Sequence, residues 1–144
     1  MAVTASWYNL GMENCMDALV DWTSDTIRCA LTTSTYSPDK DTDEFFSDVT
    51  NEVVGVGYVA KGETLANKTA TLDTVNDEVQ LDSDDVEWTV STITARRAVI
   101  YKDTGTPATS PLLGWIDFGE DKSTAGTTFK IIAAAEGWFK ITQS

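Results

Sequence analysis

Few residues of this chain have chemistry to offer, and two of them stand together. Arg96 and Arg97 form the only adjacent basic pair, inside TITARRAVIYKDTGTPATSPLLGWIDFG, residues 92–119. A guanidinium is a permanent cation that grips carboxylates through parallel N–H donors, so it marks an ion pair or a contact surface sooner than an acid–base centre. The chain contains no histidine, which removes Ser-His-Asp and Cys-His catalysis. It has neither GxGxxG nor GxxxxGK[ST], so nucleotide cradling has no support. With 23 acidic residues, close carboxylate pairs are inevitable and say nothing about glycoside hydrolysis. The residue inventory points away from an enzyme and implies no cofactor.

Three further groups of residues invite a binding role. Asp39, Asp41 and Asp43 in PDKDTDEFF place oxygens at the first, third and fifth positions of a calcium-type loop. Glu44 then stands where the sharp-turn glycine belongs, and Thr50 where the bidentate glutamate belongs, so a solvated acidic turn is the preferred reading. Cys15 and Cys29 lack a CxxC spacing and any histidine to complete a zinc site, and read as free thiols. Trp7, Trp22, Trp88, Trp115 and Trp138 would suit a carbohydrate platform, although Trp88 and Trp115 sit in alternating strands and read as core or interface.

The elements that must position these residues are mostly strands. Trp7, Leu10, Met12, Cys15, Met16, Leu19 and Val20 recur at helical spacing, which predicts an amphipathic helix over about 6–20 despite Gly11. DTIRCALTT alternates as a half-buried strand with Ile27, Cys29 and Leu31 inward. Asp41 and Glu44 resemble a capping pair ahead of one or two helical turns burying Phe45, Phe46 and Val49. VGVGYVAKG reads as a glycine-broken strand, and KTATLDT and DEVQLDS as a hairpin about VND. VEWTV, STITARRAVIYKD, SPLLGWIDFG, TTFKIIAAA and GWFKITQ complete the strands. Turn signals at this spacing predict one mainly β domain over 1–144, an antiparallel sandwich or barrel with a short N-terminal helix.

Alternation sends Arg96 and Arg97 to opposite faces of their strand. Arg96 then shares a polar face with Thr92, Thr94, Ala98, Ile100 and Lys102, whereas Arg97 lies among Ile93, Ala95, Val99 and Tyr101. A cation among apolar neighbours needs a carboxylate. Pairing ITARRAVIY with LLGWIDFG so that Val99 faces Trp115 supplies one, setting Arg97 opposite Asp117. The pair is either internal or part of a subunit contact. The loop KDTGTPATSP (102–111) projects small polar side chains from this hairpin. The interface candidates are therefore Trp7 and Tyr8 in the N-terminal segment, Arg96, Arg97, and Asp103, Thr104, Thr106, Pro107 and Thr109 in the loop.

A formal net charge of −13 disfavours nucleic acid. No apolar run approaches the roughly 18 residues of a membrane span. The first basic residue is Arg28, so no charged region precedes an apolar one, and synthesis in the cytoplasm without signal-peptide export is expected.

YNLGMEN, DTIRCALTTSTYSPDKDTDEF, GYVAKGETLANKTATLD and DDVEWTVSTITARRAVIYKDTGTPATSPLLGWIDFG together resemble small virion structural proteins of tailed bacteriophages. The resemblance spans most of the chain and is one of overall texture, without a motif that assigns roles to residues. It implies a head decoration (cement) protein that stabilises the capsid at capsomer junctions. The implied partners are the major capsid protein and further copies of the chain, a trimer being suited to local three-fold positions. The implied location is the outer capsid surface, after synthesis in the host cytoplasm. A tail or head–tail junction component, and a carbohydrate- or receptor-binding β-sandwich, are the alternatives.

Overall fold

In the computed structural model, which describes residues 3–143, ten strands and one α-helix follow the order β1 (Thr4–Trp7), α1 (Asn9–Met16), β2 (Ile27–Thr32), β3 (Glu63–Thr64), β4 (Thr69–Asp73), β5 (Glu78–Asp82), β6 (Val86–Ser91), β7 (Thr94–Lys102), β8 (Leu112–Ser123), β9 (Thr127–Ile131) and β10 (Phe139–Thr142). Every pairing between them is antiparallel. The strands form a five-stranded sheet in the order β1-β8-β7-β2-β3, a three-stranded sheet β10-β5-β4, and the pair β6-β9. Ile27, Cys29, Leu31, Ala98, Ile100 and Ile116 of the large sheet meet Leu81, Trp88, Phe129, Ile131 and Phe139 of the two smaller ones in one core. The fold is an open sandwich; no pairing among the described residues closes it into a barrel.

The large sheet is covered on both sides, which sequence alternation did not foretell. Ala98 and Ile100, assigned to a polar face, are fully buried in the main core. Val99, Tyr101, Ala30 and Leu112 point the other way, into a second core with Tyr8, Tyr36 and Phe46. A loop and a 3-10 turn at Phe46–Asp48 cover that face, with the Phe46 ring stacked on Tyr101 at 4.1 Å. Strands buried on both faces read as continuous apolar runs, and Ala98–Tyr101 is such a run. The turn is capped by its own Asp48, whose carboxylate accepts from the Glu44 and Phe45 N–H groups, so Asp41 and Glu44 do not form the expected cap.

The N-terminal segment departs most from expectation. The helix spans Asn9–Met16 instead of 6–20, because β8 captures Thr4–Trp7 as an edge strand. The predicted apolar stripe is only partly the buried face: Val20 is buried and Trp7 and Cys15 pack on the main core, but Met12, Met16 and Leu19 are exposed, while Gly11 and Asn14 are buried. A Cβ at position 11 would lie 2.5 Å from the Leu113 carbonyl oxygen and 2.7 Å from that of Leu112. Gly11 thus belongs in the helix because it lets α1 lie flat on the β8 backbone.

VGVGYVAKG forms no strand. Val56 makes a single bridge to Thr92, and left-handed backbone at Gly57 and Gly62 (φ +84° and +76°) keeps the segment from extending. It is stapled instead. Glu52 accepts from the Tyr58 hydroxyl at 2.7 Å and from the Lys61 N–H, and Tyr101 donates to the Lys61 carbonyl at 2.8 Å.

Candidate functional site

The arginine pair sits where β7 and β8 lose their regular register. Val99 faces Trp115 and Arg97 faces Asp117, but the next pair is Ala95 with Lys122, so the six residues 117–122 of β8 span the three residues 95–97 of β7. Gly119, at φ +82°, turns the bulge, and its N–H donates to Asp117 Oδ1 at 2.8 Å. Ala95 and Ala98 both enter the main core although they are three apart. The irregularity leaves the two arginines between them on the opposite side together, which corrects the expectation of opposite faces. Arg96 Nε donates to Asp117 Oδ1 at 2.9 Å and Arg97 Nε to Oδ2 at 3.0 Å. One carboxylate holds two guanidiniums. Burial alone would raise the Asp117 carboxyl; the bonds from Arg96 and the Gly119 N–H, with the charges of both arginines, outweigh it and hold the group below the usual carboxylate range.

Arg97 reaches further. Its second donor binds the Tyr36 carbonyl. The Tyr36 hydroxyl donates to Asp43 Oδ2 at 2.8 Å and lies 2.7 Å from that of Tyr8. Burial pushes both tyrosine hydroxyls well above their ordinary value. Tyr8 is completely buried in this second core, which removes it from the interface candidates. The network ties the clamp to the acidic turn and gives that turn a structural task. Asp39 Oδ1 accepts from the Asp41 and Thr42 N–H groups, Asp43 Oδ2 accepts from the Asp39 N–H, and Asp41 bonds Asn9 and Lys40. The three carboxylates of the calcium-like pattern serve separate partners, and no group of three or more metal-binding side chains occurs among the described residues.

The loop at the end of the β7–β8 hairpin is exposed yet internally bonded. Asp103 Oδ1 accepts the Gly105 N–H at 2.8 Å, and the Thr104 hydroxyl lies 2.7 Å from that of Thr109 and 3.1 Å from that of Ser110. Pro107–Thr109 closes a 3-10 turn, and the Phe46 N–H donating to the Ser110 carbonyl at 2.8 Å anchors its base. Asp103 itself is half-buried beside Arg28, with 3.7 Å between Nε and Oδ2. Thr104, Thr106, Pro107 and Thr109 therefore stand on a firm base facing solvent.

Trp22, Trp88 and Trp138 are buried, and the half-buried Trp7 and Trp115 already pack on Phe139 and Tyr8, with ring centroids 5.0 and 4.7 Å apart. A sugar platform would have to be built on these last two. Cys15 and Cys29 are free thiols, and burial raises both above the ordinary thiol range.

Sequence reasoning missed two apolar surfaces. One is a trough of about 630 Å³ lined by Val3, Ile116, Phe118, Phe129, Ile131 and Trp138, where the main core reaches the surface between β1–β8 and β9. The other is the tip of the β4–β5 hairpin, where Leu72 and Val75 are exposed. Alternating strands leave no signal for either, since one depends on which sheet edges lie together and the other on where the opposite layer ends.

No family model matches the chain, and neither a curated protein nor a solved structure matches it.

Proposed function

We propose that the chain is a non-enzymatic virion structural protein, a capsid decoration protein that docks at capsomer junctions through the loop between β7 and β8. The observation that carries this reading is the loop itself. It is exposed, bears no charge between Thr104 and Ser110, and is held rigid by its own hydroxyls at the end of the longest hairpin of a strongly acidic protein. A contact surface that is ordered before it docks loses little conformational entropy on binding. The side chains with chemical potential support the same conclusion: Arg96, Arg97, Asp117, Tyr36 and Asp43 are spent on one another and on the backbone. The bacteriophage resemblance of the sequence supplies the setting, and an acidic exterior keeps a particle soluble and unattractive to released DNA.

Ala108 is exposed and tests this directly. Co-sedimentation with capsids lacking the protein should show saturable binding of the natural chain. Ala108→Glu, which adds bulk and charge at the loop tip, should weaken that binding at least about tenfold with its melting temperature unchanged. Equal binding by the variant would remove the loop from the contact, and no binding by the natural chain would refute the decoration role.

A further inference from the structure

We propose that copies of this chain assemble head to tail, the tip of the β4–β5 hairpin of one copy seated in the apolar trough of the next. The inference rests on the reading of the chain as a structural component and names the contact through which it self-associates.

The hairpin tip has the character of a buried surface left bare. Leu72, Val79 and Ile141 face one another across β4, β5 and β10. Val79 shares its face with Leu81, and Ile141 with Phe139; Leu81 and Phe139 are buried in the main core. The core-facing side of this sheet thus runs on past the core. Leu72 is 67% exposed, Val75 88% and Val79 38%. A contiguous apolar patch of this kind marks an interaction site more often than a scattered exposed residue does. Asp73 and Asp77 bracket the tip, and no basic residue occurs from Thr69 to Asp82.

The trough has the opposite charge character. Among the described residues, Lys122 and Lys130 are the only charged ones that line it, in a chain with 23 acids and 10 bases. Their present partners, Glu120 and Asp85, form surface ion pairs, which exchange at little cost. An apolar knob flanked by aspartates thus has a matching apolar trough rimmed by lysines on the same polypeptide. The hairpin's outer strand β4 and the trough's β9 each also keep one edge without a partner strand among the described residues, so backbone pairing is open to both.

A copy cannot satisfy itself. The backbone N–H of Trp138, in the trough wall, donates to the Leu81 carbonyl at one end of β5, whereas the backbone N–H of Gln143 donates to the Asp77 carbonyl beyond the other end. Four residues of extended chain separate these points, roughly 13 Å at strand rise, and the tip points away from the trough. The contact therefore joins two different patches. Such a heterologous interface closes into a ring when its rotation permits.

Sedimentation velocity over a concentration series tests this with the full chain. The natural protein should show a reversible, closed oligomer. Val75→Lys, at an exposed turn position, should weaken association at least about tenfold while circular dichroism and melting temperature stay unchanged. Asp77→Lys should weaken it too, and adding Lys122→Glu and Lys130→Glu to that variant should restore it. Overturning results are a natural chain that stays monomeric, a Val75→Lys variant that assembles as tightly, or a charge swap that fails to restore assembly in a folded protein. Capsid binding is scored separately. Assembly through the hairpin with no capsid binding would leave this inference standing and refute the decoration role. Capsid binding with undiminished assembly of Val75→Lys would do the reverse.

Discussion

Asp117→Asn is expected to lower the melting temperature by about 6–12 °C at neutral pH, from a loss of about 3 kcal/mol. The substitution keeps the size of the side chain and removes the only carboxylate that Arg96 and Arg97 share. The two guanidinium-bearing side chains are 22% and 15% exposed, too little for water to take over the role of counter-ion. Their charges would then face each other across the bulge, so the penalty is that of an uncompensated pair, larger than the net worth of the salt bridge. Arg97→Gln should cost more than Arg96→Gln, because only Arg97 also holds the Tyr36 carbonyl.

The same carboxylate fixes the sign of a pH effect. Its folded-state pKa lies below the ordinary value, so its contribution is fully present above the unfolded pKa of about 3.9 and is lost as pH falls through the lower, folded value. The difference in melting temperature between natural protein and Asp117→Asn should be constant near neutrality and shrink below about pH 4. Thermal melts across that range decide it: a difference that persists unchanged in acid would mean that the carboxylate's charge is not what stabilises the clamp.

Gly62→Ala is the second large effect, expected to cost about 4 kcal/mol or more and to deplete the folded protein. Position 62 has φ +76°, and a Cβ there would lie 1.8 Å from the Cys29 carbonyl oxygen and 2.7 Å from the Ala30 Cα. These are backbone atoms of a central strand, so no side-chain rotation relieves the overlap; β2 or the 55–62 loop must move. That loop is tied to the rest by Arg28 Nη2 donating to the Gly62 carbonyl at 2.6 Å and by the Tyr101 bond to Lys61, and both would be disturbed. Gly105→Ala is the control. It has φ +91° with nothing within 4 Å of its Cβ, so it carries the backbone penalty alone, about 1–2 kcal/mol. Denaturant unfolding of the two variants separates strain from close packing, and equal losses would contradict the packing explanation.

The strands after residue 63 were legible because β-branched and aromatic residues alternate there between clear turn signals, as in β4 and β5 about residues 74–77. The need of Arg97 for a carboxylate was legible too, since a cation between Ala95 and Val99 breaks an apolar pattern. The share of Arg96 in that carboxylate was not. It depends on a bulge that puts consecutive residues on one side, and nothing in the local composition announces it. Helical spacing misled at the N-terminus, where a close backbone approach at Gly11 and pairing of Thr4–Trp7 with β8 outweighed the stripe of methionines and leucines. The polar chain from Arg97 through Tyr36 to Asp43 joins residues 61 and 7 apart in sequence, distances at which a single sequence carries no pairing signal.

Under the proposed decoration role, the copy number of this chain per purified particle tests the account most directly. Quantitative mass spectrometry against the major capsid protein should give a stoichiometry that follows the capsid lattice. A single ring's worth of copies per particle would place the chain at a tail or portal junction, and its absence from the particle would contradict the structural role altogether.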